Sequence, residues 1–404
     1  MKRKLDVDRD AVAIISALQS AGFESYIVGG AVRDLLLGRS PKDFDISTAA
    51  SPEEVRQVFG RRSVRIIGKR FRLAHVYRGK TLFEVSTFRK APSGSGAEER
   101  KLKHPELLPE HLIVSDNAFG TAKEDAWRRD FTVNALFYDP LKCEILDYTG
   151  QGIADIENHL VRAIGDPVLR FEEDPVRMLR ALKLVAQFDF TLDNATENAL
   201  FSKMQLLCHA APSRLSLELE KILQSCYGDR HLQVFHDYGM LPYLLPEING
   251  AWGTPVAEYM LKLLFERNCR IDEGRYRNSI SLGIATMAVA FVEAECGRAP
   301  GELWTNAPES RTAIRAVLER LFRPQNMMVK MNLSAERILL MQPELENAQL
   351  RRNLPQQRSY AHACELYAIR HIVAGESEDA LRRLPPPDEE HERREHRRKR
   401  KDRK

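Results

Sequence analysis

Residues 27–47 read IVGGAVRDLLLGRSPKDFDIS, and the reading of this stretch decides the fold. A short apolar run, Tyr26–Val28, meets two glycines, Gly29 and Gly30. A helical stretch opens behind them, with Ala31, Val32, Leu35 and Leu36 apolar and Arg33 and Asp34 polar. A turn at Pro41 leads to two carboxylates, Asp43 and Asp45, on either side of Phe44. If 43–47 is a strand, alternation puts Asp43 and Asp45 on one face, about 7 Å apart, and Phe44 and Ile46 on the other. Such a pair repels itself in an apolar surround and suits divalent cations; Mg²⁺ prefers a few carboxylates plus substrate phosphates. Glycines let backbone N–H groups approach a phosphate closely, and a helix behind them directs its positive end there. The stretch reads as a phosphate grip followed by a metal grip. The bland alternative is a hairpin with two solvated aspartates.

Working outward, residues 10–20 predict a helix with Val12, Ile15 and Leu18 on one face. Ser51-Pro52-Glu53-Glu54 is a helix start: a capping serine, proline at the first helical position and a glutamate that completes a capping box. That helix runs to about Phe59. VRII at 64–67 and LAHVY at 73–77 read as strands joined by GKRFR. The basic pair Lys69-Arg70 in that joint suits triphosphate or a nucleic-acid backbone, or else is a solvated turn. TLFEVSTF at 81–88 is a further strand. A lone glutamate in an apolar strand is costly to bury unless paired or metal-bound. Glu84 is therefore the third candidate metal carboxylate, the alternative being an exposed edge residue. Residues 90–115 are rich in Gly, Ser, Pro and charge, a loop long enough to expect weak order.

The stretch 116–134, DNAFGTAKEDAWRRDFTVN, sets Arg128 and Arg129 beside Asp130, ahead of an expected apolar helix Phe131–Phe137. Paired arginines grip phosphate oxygens bidentately. Asp130 would accept from a ribose hydroxyl, orient Arg33, or cap the following helix. A strand at Glu144–Asp147 closes this first domain near residue 150, after which the pattern turns helical. Asp174-Pro175 fits an N-cap with proline at the first helical position. Arg177 and Arg180 share the face of that helix, either reading a base edge or lying solvated. Leu215, Leu219, Ile222 and Leu223 mark an amphipathic core helix. The His236-Asp237 doublet has no upstream histidine-aspartate partners to make a metal phosphohydrolase. Residues 255–375 are helical by pattern, with Arg351, Arg352, Arg358 and Tyr360 read as a solvated face, the alternative being a contact with RNA. Three prolines at 385–387 end the fold.

A chain of 404 residues with 43% hydrophobic and 29% charged content has room for two or three domains around a sizeable core. No apolar run approaches the roughly 18 residues of a transmembrane helix, so no membrane insertion is expected. MKRKLDVDRD, lacking an apolar segment behind it, predicts no signal peptide. Six scattered cysteines without a CxxC suggest free thiols in a reducing cytoplasm and no zinc site. The net charge of +4 is unevenly placed: residues 393–404 hold nine basic and two acidic side chains, a net +7, which leaves −3 for the rest. Such a tail does not fold alone and attracts polyanions, or serves only to solubilise.

GGAVRD followed by DFD resembles the nucleotidyltransferase head of the bacterial poly(A) polymerase and CCA-adding family. Further similarity lies in IIGKRFRLAHV at 66–76, EVSTFR at 84–89, EDAWRRDFT at 124–132, EDPVR at 173–177 and YGMLPYLLPE at 238–247. The resemblance covers roughly residues 25–250. It implies an α+β protein: a polymerase-β-like α/β head (1–150), an all-α neck for base recognition (151–225), a helical RNA-binding body (226–384) and a disordered basic tail (385–404). It implies template-independent polyadenylation, with AMP passing from ATP to an RNA 3′-OH and pyrophosphate leaving, in service of RNA turnover. Mg²⁺, with Mn²⁺ as the alternative cation, would be held by Asp43, Asp45 and Glu84. Asp43, Asp45 and Asp130 would be catalytic. Gly29, Gly30, Arg33, Arg128, Arg129 and Asp130 would hold ATP, and Asp174, Arg177 and Arg180 its base. Lys69, Arg70, Arg397, Arg398, Lys399, Arg400 and Lys401 would hold RNA. A CCA-adding tRNA nucleotidyltransferase shares every head motif and is the nearest alternative; the basic pair after Gly68 and the basic tail favour polyadenylation. An inactive RNA-binding adaptor is the alternative of another class, opposed by the presence of all three carboxylates and both glycines.

Overall fold

The four residues Ser25–Val28 are buried on both faces and form β1, an inner strand of the sheet that carries the head. In the computed structural model, the described residues are 1–68, 73–79, 81–90, 119–275, 279–305, 307–322, 329–346, 354–377 and 384–386. Lys69, Arg70, Arg351, Arg352, Arg397, Arg398, Lys399, Arg400 and Lys401 lie outside them, as does most of the 90–115 loop. The chain divides into two units, Met1–Leu206 and Leu207–Lys404.

In the first unit α1 (Arg9–Ser20) is capped by Asp8, whose carboxylate accepts from the Asp10 and Ala11 amides. It buries Ala11, Ile14, Ile15 and Leu18, so Ile14 rather than Val12 completes the apolar stripe. After β1 come α2 (Gly30–Leu36), β2 (Ile46–Thr48), α3 (Pro52–Phe59), β3 (Val64–Ile67), β4 (Leu73–Arg78) and β5 (Thr81–Thr87). The Ser51–Glu54 capping box forms with both of its reciprocal hydrogen bonds, so local sequence chemistry alone places the start of α3. Next are α4 (Ala122–Trp127), β6 (Leu136–Asp139), β7 (Glu144–Asp147) and α5 (Gly152–Glu157). The seven strands lie in the order β3-β4-β5-β2-β1-β6-β7. All pairs are antiparallel except β2 with β5.

Three expectations are corrected. The strand holding the aspartate doublet begins only at Ile46, so Asp43 and Asp45 lie on its lead-in. The expected helix Phe131–Phe137 is a single 3-10 turn, Thr132–Asn134, followed by β6. All four β6 residues are buried, and such an unbroken run carries no periodicity to separate strand from helix. Lastly, the helix expected to open at Asp174 is two helices. Asp166 caps α6 (Pro167–Glu173), and Asp174 ends it in an extended conformation before α7 (Val176–Phe188). The Asp-Pro start is therefore real at 166–167 and absent at 174–175.

The second unit is helical. Its central helix, Ile280–Glu295, is apolar on nearly every side and must be enclosed. It packs against Pro255–Asp272, Pro308–Phe322, Val329–Leu340, Tyr360–Val373 and Pro212–Leu223. The close approach of the last of these needs a glycine: a Cβ on Gly283 would stand 3.1 Å from the Leu223 carbonyl oxygen. Fully buried Arg267 donates to the Leu223 and Ser225 carbonyls, satisfying the C-terminal end of Pro212–Leu223. Among the described residues no helix is long and apolar enough to cross a membrane.

Candidate active site

The parallel pair β2–β5 aligns Ile46 with Val85, Ser47 with Ser86 and Thr48 with Thr87. One residue back on each strand, the same register sets Asp45 beside Glu84. Along β5, Phe83, Val85 and Thr87 point into the core, which leaves Glu84 and Ser86 on the opposite face. Ser86 and Ser47 join their hydroxyls there at 2.9 Å. Asp45 keeps contact with water although protein crowds around it. Its carboxyl is pushed above the usual aspartate range, first by that crowding, then by the negative charge of Glu84 and, more weakly, of Asp43, with Arg129 pulling the other way. Asp45 is thus within electrostatic reach of both Glu84 and Asp43. Glu84 remains 54% exposed and faces His75 Nε2 of β4 at 3.7 Å, an ion pair only when that ring is protonated.

An excess of like charge on one face fits hard divalent cations. Among the described residues, no three His, Cys, Asp or Glu side chains are gathered closely enough to enclose an ion. Mg²⁺ is commonly held in that open way, through one or two carboxylates with substrate phosphates completing the shell.

Gly29 has φ 74° and caps α2; its N–H is spent on the Leu136 carbonyl at 3.2 Å. A Cβ at Gly29 would stand 3.1 Å from Arg129 Nη1, so the glycine makes room for that guanidinium. Gly30 begins α2 against the Arg33 side chain. Arg33, expected to seat a triphosphate, is buried and engaged by the protein. Its Nε and Nη2 donate to Asp34 Oδ1 at 2.9 and 2.6 Å, its Nη1 to Asn134 Oδ1 at 2.5 Å. The guanidinium also lies 4.1 Å from the centroid of the Phe188 ring. This is a correction: as it stands, Arg33 braces α2 against Asn134 and Phe188.

Arg128 and Arg129 are brought together with the acids, and the residue that does it went unread in the sequence. Asp125, 1% exposed, accepts from Arg128 Nε at 3.0 Å, from Arg129 Nη2 at 3.0 Å and from the Arg89 amide at 3.2 Å. Arg129 also reaches Ser47 Oγ at 3.4 Å and the Asn134 carbonyl at 3.3 Å, and it lies over Phe137. Its Nε is buried without a hydrogen-bond partner among the described residues. The signal for Asp125 was its spacing: on α4 it stands three and four residues before the two arginines, where side chains meet.

Asp130 neither caps a helix nor orients Arg33. Its carboxylate accepts from Arg177 Nε at 2.8 Å and from Arg180 Nη1. Burial alone would raise its pKa, but Arg180 and Arg177 outweigh that and hold it below the usual range. Arg177, 5% exposed, donates further to Glu173 at 2.9 Å and to the Arg170 carbonyl at 2.9 Å. Asp174 is buried, and its carboxylate meets Arg180 Nη2 at 3.5 Å without capping α7. The expectation that Arg177 reads the base meets a side chain that is buried, with its Nε and Nη1 already donating to Asp130, Glu173 and the Arg170 carbonyl. Arg180, whose side chain is 32% exposed, keeps contact with solvent.

Residues 25–162 match the model of the poly A polymerase head domain, and residues 189–251 that of a probable RNA and SrmB-binding site of polymerase A. The chain is 38% identical to poly(A) polymerase I of Haemophilus influenzae over 286 residues, 71% of this chain and 62% of the relative. It is also 38% identical to the CCA-adding enzyme of Lactobacillus helveticus over 232 residues, 57% of this chain and 54% of the relative. The chain thus spans about three fifths or less of the length of these relatives. The crystal structure of the Bacillus stearothermophilus CCA-adding enzyme in complex with CTP shares the fold, with TM-score 0.57 and 25% identity over 96% of this chain and 81% of that one. These matches assign the chain to the nucleotidyltransferase family of bacterial poly(A) polymerases and CCA-adding enzymes.

Proposed function

We propose that this chain adds AMP from ATP to RNA 3′ ends without a template, releasing pyrophosphate. The observation that carries the reading is the meeting of Asp45 and Glu84 across β2 and β5, beside Arg129 held by Asp125. Asp43, Asp45 and Glu84 would hold the divalent cations, Mg²⁺ or Mn²⁺. When bound, these would lower the pKa of the primer 3′-OH and neutralise the departing pyrophosphate. Arg129 and Arg128 stand ready to meet triphosphate oxygens, and Gly29 leaves the space that Arg129 needs. Arg33 would act by holding α2 in place unless binding frees it. Asp130 would fix Arg177 and Arg180, and through them the segment with Glu173 and Asp174 that is assigned to the base. The division into head, neck, helical body and basic tail belongs to this proposal, with RNA held by its phosphates and affinity falling as salt rises.

The CCA-adding relatives favour a second reading on the same head, in which CTP and then ATP complete a tRNA 3′ end. Extension of a labelled RNA and of a tRNA lacking its 3′ end, with each nucleotide supplied in turn, separates the two. Polyadenylation predicts long products with ATP alone and little use of CTP. CTP incorporation followed by a stop after one A defeats it.

A further inference from the structure

One guanidinium joins the segment assigned to the base with the arginine pair assigned to the triphosphate. Arg170, on α6, donates from Nη2 to two successive backbone carbonyls, those of Arg128 at 2.7 Å and Arg129 at 2.8 Å. From Nη1 it donates to Glu173 Oε2 at 3.0 Å, and its own carbonyl accepts from Arg177. Arg128 is the residue at which α4 ends, so these carbonyls lie at the negative end of that helix. The side chains of Arg128 and Arg129 are fixed on their other flank by Asp125. The backbone of the arginine pair is therefore held from the α6 side and its guanidinium groups from the Asp125 side.

We propose that Arg170 is a positioning residue that couples the Glu173–Arg177 segment to the polyphosphate grip of Arg128 and Arg129. The proposal rests on the reading above. A fork that spans two carbonyls and a carboxylate transmits displacement, because moving Glu173 moves the guanidinium and with it the Arg128–Arg129 backbone. A lysine preserves the charge but offers a single ammonium that lacks the planar fork. Arg170 does not touch substrate in this account; it determines where Arg129 stands when a nucleotide enters. Nucleotide choice at the base segment and grip on the phosphates then become one event.

The test compares the wild-type chain with Arg170→Lys and Glu173→Gln. Calorimetric titration with inorganic tripolyphosphate and Mg²⁺ reports the arginine pair without any base, RNA or turnover. Losing charge-assisted hydrogen bonds at the fork predicts tripolyphosphate binding weakened about tenfold in Arg170→Lys. A smaller weakening is expected in Glu173→Gln, which keeps an oxygen to accept from Arg170 Nη1 and loses only the charge. Steady-state ATP incorporation should show the same factor in KM with a smaller change in kcat, and poorer discrimination of ATP from CTP. Unchanged tripolyphosphate affinity in a folded Arg170→Lys overturns the coupling and reduces Arg170 to a helix cap. Absence of tripolyphosphate binding in the wild type overturns it as well. If the wild type binds tripolyphosphate but incorporates no AMP, the polyadenylation reading fails while the two variants still decide the coupling.

Discussion

The head concentrates charge in two places and treats it in opposite ways. Around Asp130, acids and bases are matched: Arg177 and Arg180 close on its carboxylate, Arg177 donates also to Glu173 and Arg180 to Asp174, and Arg170 ties the group to the Arg128–Arg129 backbone. At the β2–β5 pair Asp43, Asp45 and Glu84 crowd negative charge, with Arg129 the cation that pulls the Asp45 carboxyl back down. The consequence is visible in two aspartates, Asp130 held below its usual pKa and Asp45 pushed above it. A network of paired opposite charges holds a shape. A cluster left short of positive charge waits for a ligand that brings it.

The largest expected effect breaks the unmatched cluster. Replacing Asp43 and Asp45 together by alanine should reduce labelled AMP incorporation on the order of 10³-fold, the scale of lost electrostatic stabilisation of a transition state. Thermal unfolding of the same variant should show no loss of stability, because repulsion is removed. Incorporation near the wild-type rate would mean that the acids do not hold the reacting cations.

Next comes the matched network. Asp130→Ala leaves Arg177 and Arg180 without their shared counter-charge and should destabilise the head by about 3–5 kcal/mol in denaturant unfolding. Because the folded pKa of Asp130 is depressed, its contribution is present above the ordinary aspartate value of 3.8 and is lost as pH falls through the folded value. An Asp130→Ala variant with wild-type stability at neutral pH would contradict the network's structural role.

The smallest effect sharpens the contrast. For Asp45 the sign is reversed: the fold favours the protonated carboxyl, so stability declines as pH rises from 3.8 through the raised folded value. Asp45→Asn should remove that decline and raise the melting temperature slightly at neutral pH in the absence of divalent cation. Adding Mg²⁺ with ATP should reverse the ranking by stabilising only the wild type. A pH dependence identical in the two proteins would show that the crowding is of no consequence.

Much of the frame was legible because its signals are local. The Ser51–Glu54 box, the strands at 64–67, 73–78 and 81–87, and the Gly29 turn follow from residues within a few positions of one another. What stayed hidden depends on partners far along the chain. Arg33 looks like a ligand group until Asn134, 101 residues away, takes its Nη1. Arg177 looks like a base reader until Asp130, 47 residues earlier, takes its Nε. Asp174 carries the local signature of a cap, but its carboxylate turns to Arg180. β6 was hidden for another reason: burial on both faces erases the alternation that marks a strand. Asp125 was within reach, since helical spacing alone sets it against Arg128 and Arg129.

Binding of Mn²⁺, read by its electron paramagnetic resonance signal in the presence of a non-hydrolysable ATP analogue, addresses the β2–β5 cluster most directly. The account predicts tight Mn²⁺ binding by the wild-type chain and its loss when Asp43 and Asp45 are replaced by alanine, with the Asp130 network left folded. Equal Mn²⁺ binding by the two proteins would contradict it.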